Sequence, residues 1–419
     1  MKASTPRGLR LHIGIFGRRN TGKSSLLNAV THQEVSIVSH VPGTTTDPVE
    51  KPMELLPLGP VLFIDTAGID DAGALGELRI EKTRTVLDRT DLGVIVCGTE
   101  GWGGFEEDLL TEFRQRQTGV VVVFNKTDLV PAPADTVARL SADGISVVES
   151  SVVSGRGIPD FRQALLANAP AEFFDSQDVL SDIVRAGELA VLVVPIDKGA
   201  PRGRLIMPQV QTIRNLLDND AYCLVVKERE LKAALSNLRV APKLVVTDSQ
   251  AFLKVAADTP PEVLMTSFSI LFARLKGDLA EMVKGALSID ALRPGDEVLI
   301  AETCAHHPIA DDIGRVKIPR WLTEYVGGKL SFTHTQGHNF PEDLGKYKLV
   351  IHCGACMWNR KEMLSRIWRC QLAKIPITNY GLTVAYSLGV FERALTPFTA
   401  VAEMYQTLKG KSSIQGCLR

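Results

Sequence analysis

Two groups of residues in this chain of 419 residues could do chemistry, and the two kinds of chemistry differ. The first group is the run Gly17-Arg18-Arg19-Asn20-Thr21-Gly22-Lys23-Ser24, which fits the phosphate-binding pattern G-x-x-x-x-G-K-[ST]. The second is a set of cysteines with neighbouring histidines, Cys304-Ala305-His306 and, downstream, His352-Cys353-Gly354-Ala355-Cys356. Nucleotide hydrolysis needs no thiolate ligands, whereas thiolates bind soft metal ions. The sequence therefore predicts a nucleotide site and a separate metal centre.

The phosphate-binding run assigns a role to each residue type. Glycines let backbone N–H groups curve around phosphates, and a lysine at the position of Lys23 reaches the β- and γ-phosphates. The hydroxyl of Ser24 is the expected Mg²⁺ ligand from this run. The nucleotide-binding residues predicted here are Gly17, Asn20, Thr21, Gly22, Lys23, Ser24 and Ser25.

Three further motifs predict which nucleotide binds. Asp65 ends an apolar run and is expected in the Mg²⁺ shell, while the N–H of Gly68 is placed to sense a γ-phosphate. Asn125-Lys126-Thr127-Asp128 ends another apolar run, and the Asp128 carboxylate can accept two hydrogen bonds from guanine that adenine cannot donate. Ser151-Val152 is predicted to offer a backbone N–H to the guanine O6. We therefore expect GTP rather than ATP, together with Mg²⁺.

A threonine cluster at Pro42-Gly43-Thr44-Thr45-Thr46-Asp47 is typical of a switch segment, with Thr45 the expected Mg²⁺ ligand. Together, the five motifs over about the first 170 residues resemble GTPases of the Era and TrmE type. The resemblance implies that Asn20 helps to bind a stimulating K⁺ ion. Ile69 stands where Ras-like enzymes carry a water-orienting glutamine, which implies slow hydrolysis. The catalytic residues predicted are Lys23, Asn20, Thr45 and Gly68.

The cysteines of the second group follow two predicted strands. Cys304 comes after Glu297–Ala301, and Cys353 comes after Lys348–Ile351, so both segments are expected at the same edge of one sheet. Three thiolates and one further ligand suit a 4Fe-4S cluster, but Cys₃His also suits zinc, and Cys353 with Cys356 could form a redox dithiol. The candidate fourth ligands are His306, His352, Asp311 and Asp312, or Cys370 for a fully cysteinyl site.

Strand patterns alternate with helix patterns along most of the chain, which predicts an α/β protein with parallel sheets. We predict three domains: a P-loop GTPase with a doubly wound, mostly parallel sheet (1–172), a small α/β domain (178–266) and an α/β metal-binding domain (267–419). The middle block has neither a phosphate loop nor a cysteine pair. It is therefore predicted to be a scaffold or an association surface.

Composition restricts the function classes. The net charge of -1 gives no global attraction to nucleic acid or anionic lipid. The longest aliphatic run is far shorter than the roughly 20 residues that cross a bilayer, and the first residues lack an export signal. Seven cysteines, unevenly spaced, favour free thiols over a disulfide framework. A cytoplasmic protein is expected.

The GTPase motifs followed by Cys304-Ala305-His306-His307-Pro308 and by His352-Cys353-x-x-Cys356 resemble the HydF family, the GTPase maturation factors of FeFe-hydrogenases. This resemblance covers essentially the whole chain. It implies a GTPase domain, a dimerisation domain and a cluster-binding domain, with Cys304, Cys353 and Cys356 as ligands of a 4Fe-4S cluster. It also implies an exchangeable fourth ligand that is not a cysteine, for which we prefer Asp311 over His306 or His352.

The same resemblance implies the partners. A homodimer would receive a diiron precursor from two radical-SAM maturases and deliver it to the hydrogenase apoprotein. No nucleic-acid or membrane partner is expected. One alternative is an RNA-associated GTPase of ribosome assembly or tRNA modification that holds structural zinc; another is an iron–sulfur enzyme that uses GTP only for regulation.

The remaining histidines and cysteines have plainer interpretations. His334 and His338 flank Gln336-Gly337, which predicts a solvated turn. Cys97 and Cys223 lie in apolar runs and are predicted to be small buried hydrophobic residues.

Overall fold

The computed structural model describes residues 5–31, 48–66, 82–174, 178–196, 205–303 and 312–416. The chain divides into two compact units, Met1–Ser176 and Gln177–Arg419. Within the described ranges, no helix combines the length and the apolar character that a membrane crossing requires.

A six-stranded sheet forms the centre of the first unit, in the order β2-β3-β1-β4-β5-β6. Its strands are Leu11–Phe16 (β1), Val49–Leu55 (β2), Gly59–Asp65 (β3), Leu92–Cys97 (β4), Gly119–Phe124 (β5) and Ser146–Glu149 (β6). All neighbours are parallel except β2 and β3. The predicted doubly wound, mostly parallel sheet is confirmed. Strand β2 was not predicted, because its charged residues and Pro52 are typical of an exposed sheet edge.

Helices cover both faces of this sheet. They are Lys23–Thr31 (α1), Gly104–Gln115 (α2), Ala134–Ala142 (α3), Ile158–Asn168 (α4) and Ala171–Phe174 (α5), and residues 82–87 are also helical. Leu26 of α1 and Phe161 of α4 belong to the apolar cluster on one face, and Phe113 of α2 belongs to the cluster on the other. Every residue of β1 and β4 is buried, and because both faces of the sheet are covered, all of these residues except His12 are nonpolar.

The second unit contains two four-stranded sheets. The first has the order β10-β9-β7-β8 and consists of Leu189–Val193 (β7), Tyr222–Val226 (β8), Leu244–Thr247 (β9) and Leu264–Ser267 (β10), all parallel. Its helices are Met207–Asp218 (α6), Leu231–Ser236 (α7) and Phe252–Asp258 (α8). Strand β8 lies at the sheet edge with most of its side chains half-buried or exposed.

The second of these sheets has the order β12-β11-β13-β14, also all parallel. Its strands are Glu297–Glu302 (β11), Ser331–Gln336 (β12), Leu349–His352 (β13) and Ile377–Asn379 (β14). The helices are Phe268–Lys276 (α9), Leu279–Leu287 (α10), Ile318–Val326 (α11), Arg360–Ala373 (α12), Tyr380–Ser387 (α13), Phe391–Leu395 (α14) and Thr399–Gly416 (α15).

The two sheets of the second unit have the same topology. In each, the first strand lies between the second and the third, so the connections diverge between β7 and β9 and between β11 and β13. The helices that follow the two fourth strands pack together: Asn379 Nδ2 donates to the Ser269 carbonyl at 2.8 Å, and the Gly381 N–H donates to Ser269 Oγ at 3.1 Å. One continuous apolar core joins both sheets. The division into domains at 178–266 and 267–419 stays a prediction.

Candidate nucleotide site and candidate metal centre

At two positions of the loop between β1 and α1, the backbone conformation and the close packing require glycine. Gly17 has φ +149° and Gly22 has φ +89°. A Cβ atom at Gly17 would lie 2.3 Å from the Val96 carbonyl oxygen, and one at Gly22 would lie 2.4 Å from Asn125 Nδ2. Asn20 is also left-handed, with φ 58°. The loop therefore packs closely against the ends of β4 and β5, with its N–H groups at the N-terminus of α1.

Lys23 lies inside this loop. Its side chain is buried, and Nζ donates hydrogen bonds to the carbonyl oxygens of Gly17 and Arg18, both at 2.7 Å. The ammonium group is thus held at the centre of the curve that would surround a phosphate chain. The phosphate-binding role of Lys23 stays a prediction.

Ser24 and Asp65 come together beside the loop. Ser24 Oγ donates to Asp65 Oδ2 at 2.7 Å, whereas Asp65 Oδ1 is buried and accepts no hydrogen bond in the described part of the chain. Burial raises the pKa of Asp65, although the hydrogen bond from Ser24 and the charge of Lys23 oppose this change. A hard divalent cation would satisfy the orphaned oxygen and favour the ionised carboxylate. The residues present therefore fit Mg²⁺.

Asn125 connects the phosphate loop to the predicted guanine-binding segments. Its Nδ2 donates to the Thr21 carbonyl oxygen at 2.9 Å, and its Oδ1 accepts from Ser150 Oγ at 3.2 Å. Lys126 has φ 63°, and Asp128 lies exposed. Ser150 was missed by the sequence analysis, although it directly precedes the predicted Ser151.

The other predicted nucleotide residues are placed as follows. Ser151 is buried, and Val152 and Ser25 are half-buried. Thr45 and Gly68 lie outside the described residues. Two further ion pairs involve the same loop, because Arg18 pairs with Glu106 at 2.9 Å and with Glu100 at 3.2 Å.

The thiol residues Cys353 and Cys356 lie at the carboxyl edge of the sheet that contains β11 and β13. These strands are parallel neighbours, and the connections of the sheet diverge between them, where α/β proteins commonly bind ligands. The Cys353 N–H donates to the Ala301 carbonyl at 2.9 Å and so extends the pairing beyond the strand end. Both cysteines are half-buried.

Thr303, the residue before Cys304, contacts the sulfur of Cys353. Its backbone N–H donates to Cys353 Sγ at 3.2 Å, and its hydroxyl oxygen lies 3.4 Å from the same sulfur. Cys304, His306 and Asp311 lie outside the described residues. Within the described ranges, no group of three or more Cys, His, Asp or Glu side chains is arranged to hold a metal ion. Thr303, one residue before Cys304, is thus in contact with Cys353.

Both ring nitrogens of His352 are already engaged. Nδ1 donates to the Cys353 carbonyl oxygen at 2.8 Å, so Nε2 carries the lone pair and accepts from Arg366 Nη1 at 3.1 Å. Burial, followed by the charge of Arg366, lowers the pKa of His352 to about 3. In this arrangement His352 is neutral, and both of its ring nitrogens have hydrogen-bond partners.

The two remaining candidates for the fourth ligand, Asp312 and Cys370, are both buried. Asp312 is buried, and its Oδ1 accepts from the Arg315 N–H at 2.8 Å at the start of the turn Ile313–Lys317. Cys370 is buried on α12, and burial raises its pKa to about 12, so its thiol resists ionisation.

Two polar residues near the thiols, the half-buried Tyr380 and the buried Glu302, were not predicted. Tyr380 donates from its hydroxyl to Glu302 Oε1 at 3.0 Å at the carboxyl end of β11. Burial and then the nearby Cys353 raise the pKa of Tyr380. A Cβ atom at Gly314 would lie 2.1 Å from the Tyr380 hydroxyl, so the close packing here requires glycine. In the sequence, Glu302 and Tyr380 are marked only by their positions, because each lies at or directly after the end of a strand.

The prediction of a solvated turn at His334 was wrong. His334 lies in β12, half-buried, with Nε2 3.3 Å from the Gly314 carbonyl oxygen. The strand Ser-Phe-Thr-His-Thr-Gln is too polar to resemble a buried strand. His338 does lie in a turn, but its ring stacks on Trp358 with centroids 5.3 Å apart, and Nδ1 donates to Glu362 at 2.6 Å. Cys97 is buried as predicted, whereas Cys223 is only half-buried.

Family models match all three regions of the chain. Residues 12–126 match a 50S ribosome-binding GTPase, 179–277 a hydrogen maturase F dimerization domain, and 280–397 a hydrogen maturase F tetramerization domain. The latter two together span just over half of the chain. The first unit is therefore a P-loop GTPase domain, and the second consists of two association domains.

Individual relatives match chiefly through the GTPase domain. The tRNA modification GTPase MnmE of Bacillus subtilis is 36% identical over 152 residues, 36% of this chain and 33% of that protein. MnmE of Synechococcus sp. (strain JA-3-3Ab) is 37% identical over 171 residues, 39% of this chain and 36% of that protein. The chain thus spans about a third of the length of these curated relatives. The solved structure of Era from Aquifex aeolicus bound to GDP.AlF4- is 19% identical, with a TM-score of 0.34 over 59% of this chain and 99% of that one.

Proposed function

The chain belongs to the hydrogen maturase F family, and on that premise we propose that it is a GTP-hydrolysing scaffold for maturation of FeFe-hydrogenase. The proposal assigns nucleotide binding to 1–172, dimer formation to 178–266 and metal binding to 267–419. The observation that supports the metal-binding part is the contact of Thr303 with Cys353 Sγ, because it brings the residue before Cys304 against one of the two described thiols of the proposed site.

In the nucleotide site, GTP is the substrate and is hydrolysed slowly to GDP and phosphate. Ser24 and Asp65, joined by Thr45, would hold Mg²⁺, which neutralises phosphate charge when it is bound. Lys23 reaches the β- and γ-phosphates, and Asn20 would contribute to a stimulating K⁺ site. Equal hydrolysis rates in Na⁺ and K⁺ would contradict the role of K⁺.

In the metal centre, Cys304, Cys353 and Cys356 would hold a 4Fe-4S cluster. Its fourth iron would take an exchangeable ligand, with Asp311 ahead of His306 and His352. Three thiolates and a weakly bound oxygen suit this cluster type, because the weak ligand is easily displaced by an incoming group. Cys353 and Cys356 are both half-buried residues, unlike the buried Cys370.

The cargo would be a diiron precursor, accepted from two radical-SAM maturases and passed to the hydrogenase apoprotein. GTP binding and hydrolysis would regulate these partner contacts. A homodimer would present the sites, and β8 supports this: it is an edge strand, and Tyr222 and Val225 on it are exposed.

Anaerobic purification tests the metal-binding part. We expect a brown wild-type protein that contains iron and sulfide and gives an EPR signal on reduction. Cys304→Ala, Cys353→Ala and Cys356→Ala should each lose most of the iron, whereas the buried Cys370→Ala should retain it. A colourless wild type with stoichiometric zinc would instead support the RNA-associated alternative.

A further inference from the structure

Arg366 is a buried cation on α12 that contacts residues on either side of Cys353 and Cys356. Its side chain is 3% exposed, although arginine is rarely buried unless its donors are satisfied. Nη1 contacts His352 Nε2 at 3.1 Å, and Nη2 donates to the Gly337 carbonyl oxygen at 2.8 Å. The guanidinium carbon also lies 4.2 Å from the centroid of the Trp358 ring. Arg366 is thus fixed by contacts in several directions.

These contacts hold both ends of the thiol segment. His352 immediately precedes Cys353, and Trp358 follows Cys356 by two residues. One guanidinium group therefore contacts the residues that flank the two cysteines on either side. A single imidazole ring separates it from the Cys353 carbonyl oxygen, which accepts from His352 Nδ1. The main chain between the two flanks is constrained further by Ala355, which has φ 50°.

The segment between β12 and β13 completes the packing around Arg366. Phe340 also lies against the guanidinium, whose carbon is 4.6 Å from the Phe340 ring centroid. His338 stacks on Trp358 and donates to Glu362, which lies one helical turn before Arg366 on α12. Three chain segments therefore meet at the Arg366 guanidinium and the aromatic rings around it.

We propose that Arg366 is a positioning residue for the metal centre: it clasps both flanks of the Cys353–Cys356 segment and supplies a fixed positive charge beside the cluster. This inference rests on the proposed function. The planar guanidinium can stack on two rings and hydrogen-bond at its edge, which an ammonium cannot do in the same way. A nearby cation also stabilises the reduced cluster, which carries one more negative charge, and so raises its reduction potential.

The test compares Arg366→Met, which removes the charge and the hydrogen bonds, with Arg366→Lys, which keeps only the charge. Arg369→Met is the matched control, since Arg369 also lies over Phe340, at 5.0 Å, and its described hydrogen bonds go to the carbonyl oxygens of Phe340 and Pro341. Each full-length protein is purified anaerobically. The readouts are iron and sulfide content, midpoint potential by EPR-monitored titration, and the rate of iron loss to a chelator.

Arg366→Met should bind a cluster whose midpoint potential is more negative than that of the wild type, and it should lose iron several-fold faster. Arg366→Lys should keep the wild-type potential but also lose iron faster, while Arg369→Met should change neither. An unaltered potential in cluster-loaded Arg366→Met, or wild-type iron loss in both Arg366 variants, overturns the inference. If Arg366→Met fails to fold, the rate of iron loss from Arg366→Lys tests the inference: faster loss than in the wild type supports it, and an equal rate overturns it. Absence of a cluster from the wild type would instead reject the proposed function.

Discussion

The nucleotide site and the thiol site lie at equivalent positions of two different parallel sheets, but their groups come from the chain in different ways. Both lie beyond the carboxyl ends of parallel strands, where chain connections diverge to opposite sides of the sheet. The nucleotide site takes most of its groups from one loop, from Gly17 to Ser24. The thiol site takes its groups from segments about fifty residues apart, at Thr303 and at Cys353 to Cys356.

This difference determines what supports each site. In the nucleotide site, main-chain geometry does most of the positioning, so the support comes with the loop itself. In the thiol site, the support comes from side chains of other segments. The guanidinium of Arg366 on α12 and the ring of His338 pack against the residues that flank the cysteines, and the ring of Phe340 packs against the guanidinium. The first site should therefore be sensitive to changes of backbone, and the second to changes of distant side chains.

The largest expected effect separates the two sites. Lys23→Met removes the ammonium at the centre of the phosphate loop, and we expect GTP affinity to fall by about a hundredfold or more. Iron and sulfide content should stay at the wild-type level. Titration with a fluorescent GTP analogue and metal analysis measure both. Lys51→Met on β2 is the control, and a parallel loss of iron in Lys23→Met would contradict the independence of the two sites.

The second prediction concerns pH and the distant support of the thiol site. The pKa of His352 is about 3 in the folded protein, against about 6.5 in the unfolded chain. The unfolded chain therefore binds an extra proton between these values, and the free energy of unfolding should fall as the pH drops from about 6.5 towards 3. The contribution of His352 to this decrease in the free energy of unfolding is on the order of a few kcal/mol. Denaturant unfolding at several pH values measures it.

His352→Gln should flatten this pH dependence, because the variant removes the group that takes up the proton. His334→Gln, on strand β12 of the same sheet, is the control and should retain the wild-type slope. A slope that His352→Gln leaves unchanged would show that other groups cause the acid destabilisation.

A third prediction tests the backbone requirement of the nucleotide site. Gly22→Ala places a Cβ atom 2.4 Å from Asn125 Nδ2 at φ +89°, so the loop must shift, and GTP affinity should fall by about tenfold. Gly144→Ala is the matched control, since Gly144 has φ +77° but nothing within 4 Å of the added atom. Equal affinities in the two variants would mean that the close packing of the loop is irrelevant to binding.

The smallest expected effect on the sites comes from the β8 edge. Val225→Lys places a charge on this exposed strand, and we expect the dimer dissociation constant to rise by about tenfold while GTP affinity and iron content do not change. Val240→Lys, exposed and outside the strands, is the control. Analytical ultracentrifugation measures association, and an unaffected dimer would exclude β8 from the interface.

The nucleotide loop and the sheet around it could be predicted because each signal is local. The pattern from Gly17 to Ser24 is contiguous, and buried parallel strands such as β5 are apolar throughout. Strands β12 and β14 could not be predicted in this way. The first is polar, and the second, Ile377–Asn379, has only three residues.

The surroundings of the thiols were predicted only in part. The Cys353-x-x-Cys356 spacing and the preceding strand pointed to a site at the sheet edge. Nothing local relates Arg366 to His352, fourteen residues earlier, or His338 to Glu362, because tertiary packing alone brings these pairs together. A histidine beside two cysteines resembles a ligand until its hydrogen-bond partners are known.

The continuous core of the second unit has a consequence for anyone who wishes to isolate the proposed metal centre. Because the apolar side chains of both sheets belong to one cluster, cutting the chain near residue 267 would leave each fragment with a large water-exposed apolar face. Such fragments should aggregate when expressed separately. A truncation designed to test metal binding must therefore begin before β7 and keep both sheets.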